Sequence, residues 1–146
     1  MFSILMLATI ILLPGCGGKV TPEQRLEAAR YNHEIIPVAA KTLYDAEGAP
    51  TLLIDLQVIN QGGVALEHLT VLVQVFGPDG EEKTSQRVTL DLSGVRPGIG
   101  ARVSALLPGV VLLDDDEVTV ELEHGLSVED LRALPEYAAV SEGSVT

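Results

Sequence analysis

The pattern of apolar positions changes along the chain and divides it into distinct parts. Residues 2–13 form an almost unbroken apolar run, FSILMLATIILL. From residue 35 onward, apolar residues recur at every second position, which is the period of a half-buried β-strand. Before this region, and again after residue 126, short segments carry helix start signals. The chain is therefore predicted to contain an N-terminal apolar segment, a β domain and two small helices.

The predicted strands alternate apolar and polar residues and are separated by turn-forming sequences. The alternating apolar sets are Leu52, Ile54, Leu56 and Val58; Leu69, Val71, Val73 and Val75; Ala101, Val103, Ala105 and Leu107; and Val118, Val120 and Leu122. Further strands are predicted over residues 35–44 and 81–90. Six or seven short strands, each with one polar face, predict an all-β, Ig-like antiparallel β-sandwich over residues 35–125.

Each predicted helix begins with a recognisable cap. In Thr21-Pro22-Glu23-Gln24, Thr21 can cap, proline suits the first helical position and Gln24 completes a capping box. This short helix should end before Pro37 and belongs to a tether region, residues 16–34. Ser127 is predicted to cap a second short helix over residues 128–134. Residues 126–146 are then a short helix followed by a frayed tail from residue 136.

The N-terminal apolar run has the length of a secretory signal. Twelve helical residues span about 18 Å at roughly 1.5 Å per residue, whereas a bilayer's hydrocarbon core is about 30 Å thick. The run is followed by Leu13-Pro14-Gly15-Cys16, and Cys16 is the only cysteine of the chain. Residues 1–15 are therefore interpreted as a signal peptide.

The sequence Leu13-Pro14-Gly15-Cys16 resembles the lipobox of bacterial lipoproteins. The resemblance implies that Cys16 becomes the first mature residue and carries a covalent lipid as membrane anchor. It also implies a place in the bacterial cell envelope, and Gly17 instead of Asp after the cysteine favours the outer membrane, facing the periplasm. Pro14 and the lack of Lys or Arg in Met1-Phe2-Ser3 depart from the family pattern. An ordinary signal peptide and an uncleaved anchor are the alternatives.

A second resemblance covers about a third of the chain. The matching segments are Asn60-Gln61-Gly62-Gly63, the strand from Leu69 to Phe76, Pro78-Asp79-Gly80 and Arg96-Pro97-Gly98. This outline is similar to the small Ig-like domains of bacterial envelope lipoproteins of the FxLYD type, although Gly77-Pro78 after Phe76 departs from it. The resemblance implies the sandwich fold and no shared catalytic residues.

The composition excludes several functions. Nine Lys and Arg against 21 Asp and Glu give a net charge of −12. Binding to nucleic acid is unexpected, because it depends on clustered basic residues. We find no nucleophile-elbow, HExxH or nucleotide-binding motif, so an enzyme and a cofactor other than the lipid are not expected.

Two kinds of side chain remain as candidates for metal binding. His33, His68 and His124 each stand beside a glutamate, and all three are predicted to be exposed to solvent. The run Asp114, Asp115, Asp116 and Glu117 offers oxygen ligands for a divalent cation such as calcium but lacks EF-hand spacing. We therefore expect no metal site and keep these four carboxylates as weak candidates.

Five residues are predicted to contact a protein partner. Leu72 and Phe76 lie opposite the Val71, Val73 and Val75 stripe, where a second buried layer is the alternative to a contact patch. Glu117, Glu121 and Glu123 line one face of the last strand. An acidic surface favours basic partners. The expected function is a non-catalytic, membrane-anchored envelope lipoprotein that binds or scaffolds another envelope protein. The alternative is a periplasmic lipoprotein that binds a small ligand or a divalent cation.

Overall fold

The computed structural model describes residues 18–142, so the predicted signal peptide and Cys16 lie outside the described residues. Within this range the chain forms six strands and three short helices. In chain order they are α1 (Pro22–Tyr31), β1 (His33–Tyr44), β2 (Pro50–Asn60), β3 (His68–Phe76), β4 (Glu82–Asp91), β5 (Gly100–Pro108), β6 (Glu117–Glu121), α2 (Val128–Ala133) and α3 (Tyr137–Glu142). The predicted number and position of the strands are confirmed.

The strands form two three-stranded antiparallel sheets, which confirms the predicted sandwich. Sheet A has the order β1-β2-β5, and sheet B has the order β4-β3-β6. These orders correspond to strands A-B-E and C′-C-F of an immunoglobulin-type sandwich. Within residues 18–142, α2 and α3 follow β6 where that fold would continue with its last strand.

The alternating apolar residues fill the space between the sheets, as the sequence pattern predicts. Leu52, Ile54, Leu56 and Val58 of β2 are fully buried and face Leu69, Val71, Val73 and Val75 of β3 across one cluster. The inner residues of β5 and β6 pack against the same cluster. Aliphatic side chains of this kind contribute about 1.5–3 kcal/mol each when fully buried.

Helix α1 begins at the predicted capping box and lies against the domain. The Thr21 side chain accepts a hydrogen bond from the Gln24 N–H, and the Gln24 side chain accepts one from the Thr21 N–H. Leu26 and Ala29 are buried, whereas His33 lies beyond the helix as the first residue of β1. The helix ends at Tyr31, and strand β1 therefore starts two residues earlier than predicted.

The loop after β2 is held by the buried side chain of Asn60. Its Nδ2 donates to the Val64 carbonyl at 2.8 Å, and its Oδ1 accepts from the Gly62 N–H at 3.0 Å. A Cβ atom at Gly62 would stand 2.7 Å from Nδ2 of Asn32, so only glycine lets this loop approach the start of β1. The Asn-Gln-Gly-Gly sequence thus forms a compact corner and not merely a chain break.

The prediction of a frayed tail from residue 136 is wrong for residues 136–142, the part of the tail that the structure describes. Residues 137–142 form α3, and Val140 packs against both the sandwich core and a small cluster of Leu26, Leu131 and Leu134. Glu136, which was assigned to the tail, is buried. The segment is short and weakly amphipathic, so its order depends on these tertiary contacts, which local sequence does not reveal.

A buried ion pair fixes the helices to sheet B. Arg30 of α1 lies with its Nε 3.3 Å from Oε1 of Glu136, and both side chains are almost fully buried. Arg30 Nη2 donates to the Thr70 carbonyl at 3.0 Å, and Glu136 Oε1 accepts from the Thr70 N–H at 2.8 Å. Strand β6 pairs with β3 only from Leu72 to Phe76. The two charged side chains therefore provide hydrogen-bond partners for the N–H and the carbonyl of Thr70, which lies beyond the reach of β6.

The sandwich has two different ends. The helical end carries α1, α2 and α3 beside the start of β1 and the start of β3. The distal end carries the β1–β2 turn, the β3–β4 turn and the β5–β6 segment, residues 109–116. Strand β2 has 11 residues and spans about 36 Å at roughly 3.3 Å per residue, so the two ends are far apart.

Candidate functional site

The structure places four of the five predicted partner-contact residues on one sheet face. Leu72 pairs in register with Glu121, and Phe76 pairs with Glu117, on the outer face of sheet B. Leu72 and Phe76 are half-buried and the two glutamates are exposed. The fifth residue, Glu123, lies beyond the end of β6. The grouping of these strand residues on one face agrees with the alternation pattern.

Glu123 differs from the two exposed glutamates because it has a fixed partner. Its Oε2 accepts from Arg87 Nε at 2.6 Å, and the Glu123 side chain is largely covered. The hydrogen bond that Arg87 donates to Glu123, together with the negative charge of Glu123, raises the pKa of Arg87. Glu123 therefore neutralises the charge of Arg87 in β4 and offers little negative charge to a partner.

The acidic run at the start of β6 is divided in the same way. Both carboxylate oxygens of Asp116 accept from Lys83 Nζ at 2.8 Å, and Oδ2 also accepts from the Leu113 N–H at 2.9 Å. The hydrogen bond from Lys83, followed by that from the Leu113 N–H, lowers the pKa of Asp116. Asp114, Asp115 and Glu117 are exposed.

No set of three His, Cys, Asp or Glu side chains in residues 18–142 is arranged to hold a metal ion. Asp116 is already bound to Lys83, so a cation that used Asp116 as a ligand would have to displace the lysine. Across the same residues we also find no helix that is long and apolar enough to cross a membrane.

The prediction that all three histidines are exposed is wrong for His33. Its side chain is 95% buried, and Nδ1 donates to the Ala29 carbonyl at 2.7 Å, at the end of α1. Burial lowers the pKa of His33, so the neutral form is favoured. His68 and His124 are exposed as predicted, and His124 stacks on Tyr31 with ring centroids 4.9 Å apart.

The distal end carries a group of exposed apolar side chains that the strand pattern did not single out. We call this group the distal surface; its members are Leu43, Tyr44, Leu106, Val111 and Leu113. Tyr44 is 62% exposed and Leu113 is 59% exposed. Exposed apolar residues are common, and Val20, Tyr31, Val64, Ile99 and Val128 are likewise exposed at the helical end. The distal surface differs because three of its members, Tyr44, Val111 and Leu113, line one cleft.

Local structure explains why these side chains face solvent. Leu43 and Leu106 lie on the outer face of sheet A, because the residues opposite them alternate with the buried positions of β2. The 109–116 segment folds back along the end of β1, where the Leu112 N–H donates to Thr42 Oγ1 at 2.9 Å. That contact turns Leu112 toward the core and leaves Val111 and Leu113 outside.

A sequence signal for the distal surface exists in doubled apolar positions. Val110-Val111, Leu112-Leu113 and Leu106-Leu107 each place two large apolar residues side by side. Neighbouring residues of an extended chain point in opposite directions. In each pair, one side chain enters the core and the other must face solvent or a partner.

A cleft of about 450 Å³ opens beside the distal surface. It lies between the end of β1, residues 40–44, and the 109–116 segment, and its lining includes Tyr44, Val111, Leu113 and Asp114. A second cleft, of about 390 Å³, continues between the same segment and Pro78 of the β3–β4 turn. The arrangement offers apolar contacts edged by carboxylates, which suits binding by burial and charge attraction.

Comparison with known proteins returned no match to a family model, to a curated protein or to a solved structure.

Proposed function

We propose that the protein is a non-catalytic lipoprotein, anchored through a lipid on Cys16 in the bacterial cell envelope, that binds or scaffolds an envelope protein. The observation that carries the proposal is the distal surface, where five large apolar side chains are exposed and three of them, Tyr44, Val111 and Leu113, line one cleft. The lipobox pattern supports the anchor, and the strand order is compatible with the Ig-like domains of the FxLYD type. We place the protein at the outer membrane, facing the periplasm.

The positions of the two ends support this function. Cys16 stands two residues before Gly18, which leads into α1 at the helical end. A membrane anchor there would hold the distal surface on the far side of the domain, about 30 Å or more away along the strands. The exposed apolar side chains would then be presented to another protein and not to the anchoring membrane.

Fractionation tests the anchor. Replacing Cys16 by serine removes the thiol that would be lipidated, and we expect the variant to leave the membrane fraction and appear in the soluble periplasmic fraction. Stable anchoring needs about two acyl chains, so loss of the attachment point should be complete. A Cys16→Ser protein that stays with the membrane would show that lipidation at this residue is not the anchor.

Site-specific photo-crosslinking tests the binding role separately. A photoreactive side chain at Leu113, in the distal surface, should trap a defined envelope protein in intact cells. The same group at Glu67, an exposed position at the helical end, is the matched control and should give no such adduct. An adduct at position 67 only, or at neither position, would refute a partner at the distal end.

A small-ligand carrier remains the second candidate, because one apolar groove favours it. The groove has a volume of about 350 Å³ and lies between α1, α3 and residues 64–66, with Ala28, Ala139 and Val140 in its lining. Saturable binding of a fatty-acid probe, with NMR shifts confined to Ala28 and Ala139, would favour this role. Shifts spread over the whole surface would count against it.

A further inference from the structure

The distal cleft has apolar walls that no described residue covers. Its apolar sides are formed by Tyr44 at the end of β1 and by Val111 and Leu113 in the 109–116 segment, and the rest of the lining includes the polar side chains of Lys41, Thr42, Asp114 and Asp116. Covering these side chains would remove apolar area from water, which is the main favourable contribution to protein association. The volume of about 450 Å³ fits a few side chains of an extended or helical segment and not a whole domain.

The charge around the cleft determines what can bind there. Residues 41–50, 76–83 and 108–117 together carry nine carboxylates and two lysines, for a net charge of −7 out of the chain's −12. One of the lysines, Lys83, is bound to Asp116, and the other, Lys41, lines the cleft together with Asp114. Asp114 and Asp115 are exposed beside the apolar walls. At physiological salt, charges act over about 8 Å, so these carboxylates influence any group in the cleft.

Resting on the proposed function, we propose that the distal cleft binds a basic, amphipathic segment of a partner protein. Apolar side chains of that segment would pack against Tyr44, Val111 and Leu113. Lysine or arginine side chains would face Asp114 and Asp115. Because electrostatic complementarity governs association rate and partner choice, the segment should bind in a salt-dependent way.

The same charges disfavour three other occupants. A second copy of the chain would bring two surfaces of net charge −7 against each other. Anionic lipid headgroups would be repelled for the same reason. A divalent cation would have to compete with Lys83, which already binds both oxygens of Asp116.

The test uses a fluorescent peptide of alternating leucine and lysine as the probe, with the purified full chain in a neutral detergent. A leucine–glutamate peptide of equal length is the charge-reversed control. We expect the basic peptide to bind and the acidic peptide not to bind. The affinity of the basic peptide should fall steeply between 50 and 500 mM salt, because the screening length shortens from about 10 Å at 0.1 M to about 3 Å at 1 M. Equal binding of both peptides would overturn the proposal.

Matched variants locate the binding. Asp114→Asn with Asp115→Asn should weaken binding roughly two- to thirtyfold, the range expected for two exposed charge pairs. Leu113→Ser should weaken it about tenfold through lost apolar contact. Glu67→Gln with Glu129→Gln removes the same charge at the helical end and should change the affinity less than about twofold. An equal loss in this control would mean nonspecific attraction to an acidic protein.

These results separate this inference from the proposed function. If Leu113 crosslinks an envelope protein and the Asp114→Asn, Asp115→Asn variant crosslinks it equally well, the partner exists but is not selected by charge, and the inference fails alone. If position 113 traps no protein in cells, the proposed function fails whatever the peptide does. Unchanged urea midpoints of all variants would show that the differences come from binding and not from folding.

Discussion

The buried pair of Arg30 and Glu136 leads to the most demanding test of how this fold is held together. Strand β6 pairs with β3 only from Phe76 back to Leu72. At Thr70, the Arg30–Glu136 pair supplies the hydrogen-bond partners that β6 no longer provides. Arg30 donates to the Thr70 carbonyl, while Glu136 accepts from the Thr70 N–H and from its hydroxyl at 2.9 Å. The pair therefore holds α1 and the α2–α3 connection against a strand edge that would otherwise be buried without partners.

Removing one charge should be costly. Glu136→Gln keeps the size of the side chain and an acceptor oxygen for the Thr70 N–H, but it leaves the Arg30 guanidinium buried without an opposite charge. Breaking a buried pair in this way costs about 3–5 kcal/mol. A domain of this size is stable by about 5–15 kcal/mol, so the variant should lose a large part of its stability.

The double variant Arg30→Met, Glu136→Leu tests the reason for that cost. Replacing a buried ion pair by apolar residues is often neutral or stabilising by about 1–4 kcal/mol. Here it would also leave the N–H and the carbonyl of Thr70 without partners, at about 1–3 kcal/mol each. We therefore expect the double variant to remain less stable than the wild type, in contrast to buried pairs that serve only each other.

Urea unfolding and amide exchange measure these effects. With m of about 1–3 kcal/mol per molar urea, the midpoint of Glu136→Gln should fall by about 1 M or more, and the Thr70 amide should exchange much faster in the double variant. Arg87→Met is the control, because it breaks the pair with Glu123 in which both side chains are partly exposed, at 47% and 21%; it should move the midpoint far less. A double variant as stable as the wild type, with a protected Thr70 amide, would refute the reasoning.

Two further predictions concern other buried polar groups. Asn60→Ala removes two hydrogen bonds of a fully buried side chain and should lower the free energy of unfolding by about 1–3 kcal/mol. Gln61→Ala, at an exposed position, should change it by less than about 0.5 kcal/mol. Urea unfolding measures both, and equal effects would mean that Asn60 does not hold the corner. Since burial lowers the folded-state pKa of His33 below its ordinary value of 6.5, its contribution to stability is complete above pH 6.5 and is lost as the pH falls from there through the folded-state pKa. His33→Gln should therefore flatten the fall in urea midpoint just below pH 6.5; the same slope as in the wild type would contradict this assignment.

Much of the fold could be predicted because local sequence and tertiary structure agree in the strands. The set from Leu52 to Val58 is fully buried on alternate residues, as its period requires. The capping box at Thr21 is likewise a local signal that survives in the folded chain. Helix α3 could not be predicted because tertiary contacts order it. Val140 packs against the cluster that contains Leu26, and the neighbouring Glu136 binds Thr70; Leu26 and Thr70 both lie far away in sequence.

The candidate site was only partly predictable because its members come from different sheets. Leu72 and Glu121 could be placed on one face, since each alternates with buried neighbours. Tyr44 and Leu113 line one cleft only because the 109–116 segment folds along the end of β1. The doubled apolar positions mark Leu113 as a candidate for exposure, but no period in the sequence connects residues 44 and 113, so their grouping becomes visible only in the folded chain.

The acidic residues also separate into two roles that sequence cannot distinguish. At the helical end Glu23 and Glu136 each bind an arginine from another element, and those pairs join the helices to each other and to the sandwich. At the distal end Asp114 and Asp115 adjoin exposed apolar side chains. A net charge of −12 counts both groups alike. Asp114 and Asp115 can attract a partner without first breaking a contact that holds the fold, and because they adjoin the apolar cleft, the distal end is where binding should be sought.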